Sequence, residues 1–416
     1  MYRLVEAAVN HHAANVTRKP RSHPSTGLRW VIYASDVFLH QGFESVGRGM
    51  EGRKQLGVVV AVASLLIVEM LTMTSAFGAP TPYQAIFKLP EGMVLNDGHL
   101  WEADSSANEV VELNSSNGSL IRFVNASADR FNSPSDIASS GRYLWVTSSD
   151  CVTQLNASNG SLVRVLKAAK YHFDFPGSIT FGDSHIWMVN GGTARSDASI
   201  VELDPTNGSL VRVIKSWSLV DPYAITINGP DVWVTDQQAS TVEEFSAEGG
   251  SLIRVLTAVE FSSTDFTKTN YHFDQPSGIA SYGSDVWVSD SGNFPMTEIN
   301  GSTGALVRVV KSTSAWLRNA NVASGGDSAW GIAVTQAHVW IANGGNVVEL
   351  NASNGQLMRV VGDTADHIDG TEHVVADGQY VWASTDVGTI VQLNANNGRL
   401  VRLIQSRRNV TVHGPS

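Results

Sequence analysis

Short apolar runs alternate with polar turns along 84–405, and the same pattern occurs seven times. Each copy contains a tryptophan in a strand-like setting, such as Val232-Trp233-Val234. The copies follow one another at intervals of about 45 residues, a length typical of one blade of a β-propeller. The seven tryptophans that define the copies are Trp101, Trp145, Trp187, Trp233, Trp287, Trp340 and Trp382.

Three further landmarks divide each copy into four strands. In five copies a proline lies eleven positions before the tryptophan. We place the start of strand A there, because proline can begin a strand but has no backbone N–H to donate to a neighbouring strand. Strand B contains the tryptophan, strand C reads Val-Glu-Leu as at 201–203, and strand D reads Leu-Val-Arg-Val as at 210–213. A glycine precedes the arginine of strand D by four positions in all seven copies.

The whole pattern predicts an all-β fold, a seven-bladed β-propeller with four-stranded antiparallel blades. One such unit cannot bury both of its faces, so the units must stack, with the tryptophans between blades. A solenoid is the structural alternative, but its terminal repeats would be atypical, whereas the first and last copies here match the others. We expect the segment 84–89 to latch the closed ring against the last blade.

The turn between strands C and D determines which residue faces the arginine. A two-residue type I′ turn at Asn117-Gly118 sets Arg122 opposite Leu113, whereas a bulged turn with a left-handed glycine sets it opposite Glu112. The charges favour the bulged turn, with Gln154 and Gln392 as neutral exceptions. The predicted pairs are Glu112 with Arg122, Glu202 with Arg212, Glu244 with Arg254, Glu298 with Arg308, and Glu349 with Arg359.

Length variation is confined to two connections of each copy. The stretch from the tryptophan to strand C differs in length between copies, as does the stretch from the arginine to the next copy, while the A–B and C–D turns are constant. In a four-stranded meander the B–C and D–A connections leave from the same edge. We therefore expect the binding surface on that face, because insertions in repeat proteins commonly form the binding face.

That face contains the candidate chemistry. The tetrapeptide Tyr-His-Phe-Asp occurs at 171–174 and again at 271–274, and Asp366, His367, Asp369 and His373 cluster before the last blade. These groups could bind a divalent metal or act as acids and bases. The alternative is that the tetrapeptide is purely structural, with its aromatic side chains packed between blades. The candidate ligand-binding residues are His172, Asp174, Tyr271, His272, Asp274, Trp316, Arg318 and His367.

Five copies have an Asp or Asn at the third position after the tryptophan, and this repeated position has two interpretations. The residues are Asp104, Asn190, Asp236, Asp290 and Asn343. They form either a ring of metal ligands or a set of turn caps that bind nearby backbone amides. Capping is favoured, because it explains why Asn serves as well as Asp.

The net charge and the cysteine content exclude several classes of partner and site. The formal net charge of −11 opposes binding to nucleic acid or anionic lipid. The single cysteine, Cys151, excludes an intrachain disulfide and a cysteine-based zinc cluster, and we expect a buried thiol there.

The segment 1–78 reads as a targeting region. An apolar run begins at Leu56 after Arg53-Lys54 and ends at the small residues 75–79, which has the three regions of a secretory signal peptide. Because signal peptides begin at a chain start, we interpret 1–49 as an over-extended or disordered N-terminus and 50–78 as a signal peptide cleaved after Gly78. The alternative is an uncleaved signal anchor. We expect the propeller over 84–405 and a disordered tail over 406–416.

The blade sequences resemble the extracytoplasmic propellers of the NHL and YVTN type and, more distantly, the virginiamycin B lyase propellers. The resemblance lies in Trp287-Val288-Ser289-Asp290, in Glu349-Leu350-Asn351 and in Asn354-Gly355. It implies a secreted or extracytoplasmic surface protein, which we expect to be a monomeric module that binds an extracellular polymer, peptide or protein through its long loops. A metal-assisted lyase or lactone hydrolase at the channel mouth is the alternative. No cofactor is predicted, with a divalent metal as the one candidate.

Overall fold

The structure, a computed structural model, describes residues 87–125, 131–191, 198–257, 273–291, 296–311, 329–362, 368 and 370–404. The predicted N-terminal region 1–78 and the C-terminal tail 406–416 lie outside these residues. No helix in the described ranges is long and apolar enough to span a membrane.

The described chain folds into seven antiparallel sheets of four strands, in the order A-B-C-D within each sheet. The strands of blades one to three are β1 Pro90–Asn96, β2 His99–Asp104, β3 Glu109–Asn114, β4 Leu120–Asn125, β5 Asp136–Ser139, β6 Tyr143–Ser148, β7 Cys151–Asn156, β8 Leu162–Lys167, β9 Pro176–Gly182, β10 His185–Asn190, β11 Ser199–Leu203 and β12 Leu210–Ile214. A one-turn helix, α1 Ala168–Tyr171, follows β8.

Blades four to seven repeat the same arrangement. Their strands are β13 Pro222–Asn228, β14 Asp231–Asp236, β15 Thr241–Ser246, β16 Leu252–Thr257, β17 Pro276–Tyr282, β18 Asp285–Asp290, β19 Met296–Asn300, β20 Leu306–Val310, β21 Ala329–Val334, β22 His338–Asn343, β23 Val347–Asn351, β24 Leu357–Val361, β25 Thr371–Ala376, β26 Tyr380–Thr385, β27 Thr389–Asn394 and β28 Leu400–Ile404. The predicted seven-bladed β-propeller is confirmed.

The core consists of apolar clusters between neighbouring blades. All seven repeat tryptophans are at most 1% exposed. Each packs against the next blade, as Trp145 does against Ile186 and Met188 of blade three. Burial of so large a side chain contributes substantially to stability, so the repeated tryptophan is the main apolar element that joins one blade to the next.

The ring closes through packing of blade one against blade seven. Trp382 of the last blade lies in one cluster with Phe87 and Leu100, and the innermost strands β1 and β25 are in contact. The Gln392 side chain donates to the Ser115 carbonyl at 2.9 Å. Phe87 is fully buried, so the latch predicted for 84–89 is present at Phe87 as apolar packing rather than as an added strand.

The C–D turns have the bulged form. Glu112 lies opposite Arg122 and the register then shifts by one before Leu113 pairs with Leu120, while Gly118 has a φ of +64°. The same register sets the other four predicted glutamate–arginine pairs opposite each other. This is the register that the charges predict.

We refer to these paired residues as the glutamate–arginine belt: Glu112, Glu202, Glu244, Glu298 and Glu349 with Arg122, Arg212, Arg254, Arg308 and Arg359. The glutamates are at most 2% exposed. Arg212 Nε lies 2.5 Å from Glu202, and its Nη1 donates to the Glu248 carbonyl of the next blade at 2.7 Å. A belt arginine therefore neutralises a buried charge in its own blade and also binds the following blade.

The glycine of each C–D turn recurs because of a contact with the neighbouring blade, which the sequence of a single copy does not reveal. A Cβ atom on Gly208 would come within 3.0 Å of Arg164 Cδ, and one on Gly118 within 2.5 Å of Arg402 Cδ. In both cases the arginine belongs to the preceding blade, and Arg402 reaches Gly118 across the ring closure. Glycine is needed both for the positive φ and for the space that this arginine occupies.

Candidate functional site

The strand order gives the propeller two distinct faces. The A–B and C–D turns lie on one face, which we call the turn face. The B–C and D–A connections lie on the other, the loop face, together with the first residues of every strand A. Strand A is the innermost strand, because the A strands of successive blades contact one another around the axis. The starts of the A strands therefore meet at the mouth of the central channel on the loop face.

A cavity of about 450 Å³ occupies this mouth, and residues from all seven blades line it. Its polar and aromatic lining residues include Glu91, Asp136, Phe175, Asp221, Tyr223, Trp330 and His373. Small residues such as Gly177, Ser277 and Gly278 lie between them. Large and small side chains at equivalent positions of strand A thus shape the cavity.

Two aromatic rings form one wall of the cavity. Tyr223 of blade four and Trp330 of blade six lie with their ring centroids 6.2 Å apart and their planes at 43°. Blade five contributes Gly278 between them, where a Cβ would come within 2.5 Å of both the Trp330 carbonyl oxygen and Ser289 Oγ. Absence of a side chain there lets the inner strands of blades five and six approach closely, and blade five has only a serine, Ser277, at the position of Tyr223 and Trp330.

Phe175 extends the aromatic surface outward. It is 56% exposed and has a φ of +54°, a conformation that is uncommon for a bulky residue. Ser133 and Gln275, which also precede a strand A proline, have similar φ values of +51° and +59°, so this conformation belongs to the entry into strand A.

Carboxyl groups dominate the electrostatics of the mouth. Burial and the charges of Glu91 and Asp386 raise the pKa of Glu372 to about 7. Burial, followed by the charge of Asp104, also raises the pKa of Glu91, although the Ser105 hydroxyl donates to it at 3.1 Å and acts in the opposite direction. Burial and the charge of Asp236 raise the pKa of Asp221. The carboxylates therefore repel one another in a site of limited hydration.

His373 lies beside these carboxyls but does not neutralise them at pH 7. Its Nε2 is 3.9 Å from Glu91 Oε2, and 38% of its side chain remains accessible. Enclosure by the channel wall lowers the pKa of His373 to about 4. The imidazole is therefore neutral at physiological pH and can donate or accept one hydrogen bond.

Asp136 is an inter-blade connector as well as a lining residue. Its Oδ2 accepts from the Ile179 amide of blade three at 2.9 Å, and its Oδ1 accepts from the Ile137 amide at 2.8 Å. These two bonds offset part of the burial that raises its pKa to about 6. We therefore assign Asp136 mainly to the structure of the mouth.

The aromatic residues of the repeated tetrapeptide that the structure describes, Tyr171, Phe173 and Phe273, pack in the core. Tyr171 and Phe173 stack at 5.4 Å and are buried between blades, and the Asp174 amide donates to Asn190 Oδ1 at 2.7 Å. In the second copy Phe273 is buried and the Asp274 amide donates to Asp290 Oδ2 at 2.6 Å. His172 is exposed with a φ of +59°. The other predicted residues, Tyr271, His272, Trp316, Arg318 and His367, lie outside the described residues.

The Asp and Asn residues at the third position after the tryptophan act as caps. Asp236 accepts from the amides of Val220 at 2.6 Å and Ala239 at 2.9 Å. Asp104 likewise accepts from the amides of Leu89 at 3.2 Å and Ala107 at 2.8 Å. The capping interpretation is thus confirmed for these two carboxylates, which fasten the segment before strand A to the end of strand B.

Metal-ligand groups and the single thiol were the other candidates for chemistry. No group of three or more His, Cys, Asp or Glu residues there is arranged to hold a metal ion. Cys151 is buried, and burial raises the pKa of its thiol, so it is not a poised nucleophile.

Sequence reasoning did not identify Glu91, Tyr223, Trp330 and Glu372. All four directly follow the first residue of a strand A, ten positions before the repeat tryptophan. This position reads Glu, Ser, Gly, Tyr, Ser, Trp and Glu along the seven blades, whereas the neighbouring landmarks hardly vary. That variability on the innermost strand was the available signal.

No protein-family model and no curated protein matches the sequence. Among solved structures, the chain is similar to a computationally designed protein named Ika8, with 11% identity, a TM-score of 0.54, and coverage of 78% of this chain and 89% of that one. It is also similar to hydrazine synthase of Kuenenia stuttgartiensis, with 13% identity, a TM-score of 0.58, and coverage of 76% and 98%. At such low identity the likeness shows the fold alone.

Proposed function

We propose that the protein is a secreted or surface-exposed binding propeller of the NHL and YVTN type, and that it takes its ligand at the channel mouth on the loop face. The observation that carries this proposal is the cavity of about 450 Å³ to which all seven blades contribute. Ligand sites are concave, contain aromatic surface and have a few converging polar groups. The mouth has each of these properties.

Exposed aromatic side chains also occur outside the mouth, so exposure alone does not identify the binding site. Trp217, in the connection before β13, is 81% exposed on the loop face, but Tyr282 and Phe181 at A–B turns are also exposed, at 47% and 40%. Single exposed apolar residues are normal on protein surfaces. Tyr223 and Trp330 differ from them, because they line a cavity together with carboxyl groups.

An enzyme at the same mouth is the second candidate, a lyase or lactone hydrolase that uses acid–base groups. Glu372 and His373 are adjacent in sequence, and their pKa values move in opposite directions, to about 7 and about 4. Groups with pKa values displaced in this way are frequent in catalytic sites. Turnover of a neutral lactone that Glu372→Gln abolishes would support this candidate over pure binding.

A peptide and glycan array probed with the full chain tests the binding proposal. Tyr223→Ala should reduce binding of the retained ligand about tenfold or more, because removal of an aromatic anchor commonly costs at least about 1–2 kcal/mol. Tyr282→Ala is the matched control, since it removes an exposed tyrosine from the turn face. Shortening the connections 256–275 and 310–328 should also abolish binding and leave the fold intact. A ligand that Tyr282→Ala weakens and Tyr223→Ala does not would place binding on the turn face and contradict the proposal.

A further inference from the structure

We infer that the group bound at the channel mouth is an organic ammonium ion, carried by a small amine or by a lysine side chain. This inference rests on the proposed function and specifies the chemistry of the same cavity. Three features support it: the sign of the charges around the cavity, the lack of basic partners for them, and the position of the two rings.

The charges at the mouth have one sign. Glu91, Asp136 and Asp221 line the cavity, and none of its described lining residues is lysine or arginine. Its one histidine, His373, is neutral at pH 7 because of its low pKa. An anionic ligand would therefore be repelled, whereas a cation would find several carboxylates around it.

The mouth carboxyls also differ from those of the belt. Each belt glutamate has an arginine of its own blade as partner. Within the described part of the chain, no lysine or arginine forms such a pair with Glu91, Asp221 or Glu372. Among the described residues the mouth carboxyls therefore lack the internal cation that each belt glutamate has, and an external cation can take that place.

The rings of Tyr223 and Trp330 complete the recognition. An ammonium group is attracted to the face of an aromatic ring when it lies within about 6 Å of the centroid, and tryptophan is the strongest partner. Burial raises the pKa of the Tyr223 hydroxyl to about 12, and the charges of Glu372, Glu91, Asp221 and Asp136 add to the shift. The tyrosine ring therefore lies within the field of the same carboxylates that would hold the cation.

An inorganic divalent ion fits the described residues less well. Such an ion requires several oxygen ligands at about 2.0–2.6 Å, and no group of three acidic or histidine side chains in the described ranges is close enough to provide them. A large ammonium ion binds without inner-sphere ligands, through rings and more distant charges. The geometry of the mouth favours the organic cation.

The test compares ligands of the same shape that differ in charge. Isothermal titration calorimetry of the full chain at pH 7.5 would use choline against its neutral isostere 3,3-dimethyl-1-butanol. A second pair, Nα-acetyl-lysine methylamide against its Nε-acetylated form, distinguishes a lysine side chain from a free amine as the source. We expect one cation to bind about tenfold or more tightly than its neutral partner, as cation–π attraction and nearby carboxylates require.

Variants locate the binding. Glu91→Gln and Trp330→Leu should each weaken cation binding about fivefold or more, and Asp221→Asn serves in place of either one if it fails to fold. Glu248→Gln is the matched control, because it removes one charge from an exposed C–D turn of the turn face. Affinity should also rise from pH 5.5 to pH 8, since Glu372, with a pKa of about 7, gains its charge over that range. The other mouth carboxyls, Asp136, Asp221 and Glu91, can only gain negative charge as the pH rises, whereas His373 stays neutral throughout.

Each outcome decides the inference. Equal binding of charged and neutral partners, no binding of either cation, or binding of calcium or magnesium that displaces choline would overturn it. If an array ligand depends on Tyr223 but contains no ammonium group, the inference fails and the proposed function stands. If no array ligand responds to Tyr223→Ala, the proposed function itself fails.

Discussion

The glutamate–arginine belt allows one substitution to be compared in two environments of the same protein. Blade three has Arg212 opposite Glu202, which is 1% exposed. Blade two has Arg164 opposite Gln154, which is fully buried and neutral. Replacement of each arginine by methionine keeps most of the apolar stem and removes the charge. Only Arg212→Met leaves a buried carboxylate without its principal cation.

Part of the cost is common to both variants. Arg212 donates to the Glu248 carbonyl and Arg164 to the Asn207 carbonyl, in each case in the following blade. Loss of such a hydrogen bond costs about 1 kcal/mol. We expect Arg164→Met to lower the free energy of unfolding by about this amount.

The additional cost in blade three is limited by protonation. Glu202 can bind a proton instead of remaining ionised, and for a carboxyl with an unfolded pKa near 4.3 this costs about 3.7 kcal/mol at pH 7. His185 lies 3.5 Å from Glu202 and supplies part of the lost charge when it is protonated. Arg212→Met should therefore be less stable than Arg164→Met by about 2–4 kcal/mol at pH 7.

The pH dependence has a defined sign. Burial already raises the pKa of Glu202 in the folded protein, and removal of Arg212 raises it further. Between the unfolded and folded pKa values the unfolded state binds fewer protons, so the stability of Arg212→Met falls as pH rises. The difference between the two variants should shrink to about 1 kcal/mol or less near pH 4, where the carboxyl is largely protonated in both states.

Urea unfolding of both variants at pH 4 and pH 7 measures these differences. The double variant Glu202→Gln/Arg212→Met recreates a neutral pair like that of blade two and should recover most of the loss. Equal destabilisation of Arg164→Met and Arg212→Met at pH 7, or no recovery in the double variant, would refute the assignment of the cost to a stranded carboxylate.

Two further pairs of substitutions test the turns. Gly160→Ala and Gly229→Ala both add a side chain at positive φ, but only at Gly160 would the Cβ lie 2.7 Å from Val124 Cγ2, so Gly160→Ala should lower the thermal midpoint further by an amount equivalent to about 1–3 kcal/mol. Asp236→Ala should cost about 2–3 kcal/mol in urea unfolding, because the amides of Val220, Asp221 and Ala239 lose their acceptor. Asp236→Asn should cost about 1 kcal/mol less than Asp236→Ala, because an asparagine keeps one of the two oxygens that accept from these amides, as Asn190 does for the Asp174 amide in blade three. An equal loss in both Asp236 variants would show that the charge rather than the acceptor matters.

The repeat landmarks were sufficient to predict the fold and the belt. The alternation of strand residues, the spacing of the tryptophans and the opposition of glutamate to arginine are local properties of a single blade, and the ladder hydrogen bonds act over the same distance. Seven copies of one local solution leave closure into a ring as the arrangement that buries both faces of every blade. The opposition of Glu112 to Arg122 therefore followed from the sequence, and the structure has that pair.

The channel mouth was decided only by tertiary structure. Glu91, Tyr223, Trp330 and His373 belong to blades one, four, six and seven, and they meet because closure brings the starts of all seven inner strands to one axis. The contact of Gly118 with Arg402 has the same origin, since it joins the first blade to the last. Spacing along the chain reports what one blade needs for its own hydrogen bonds and core. The spacing does not indicate which residues of other blades become neighbours of a side chain when the ring closes. Those neighbours determine the charge, hydration and pKa values of the site.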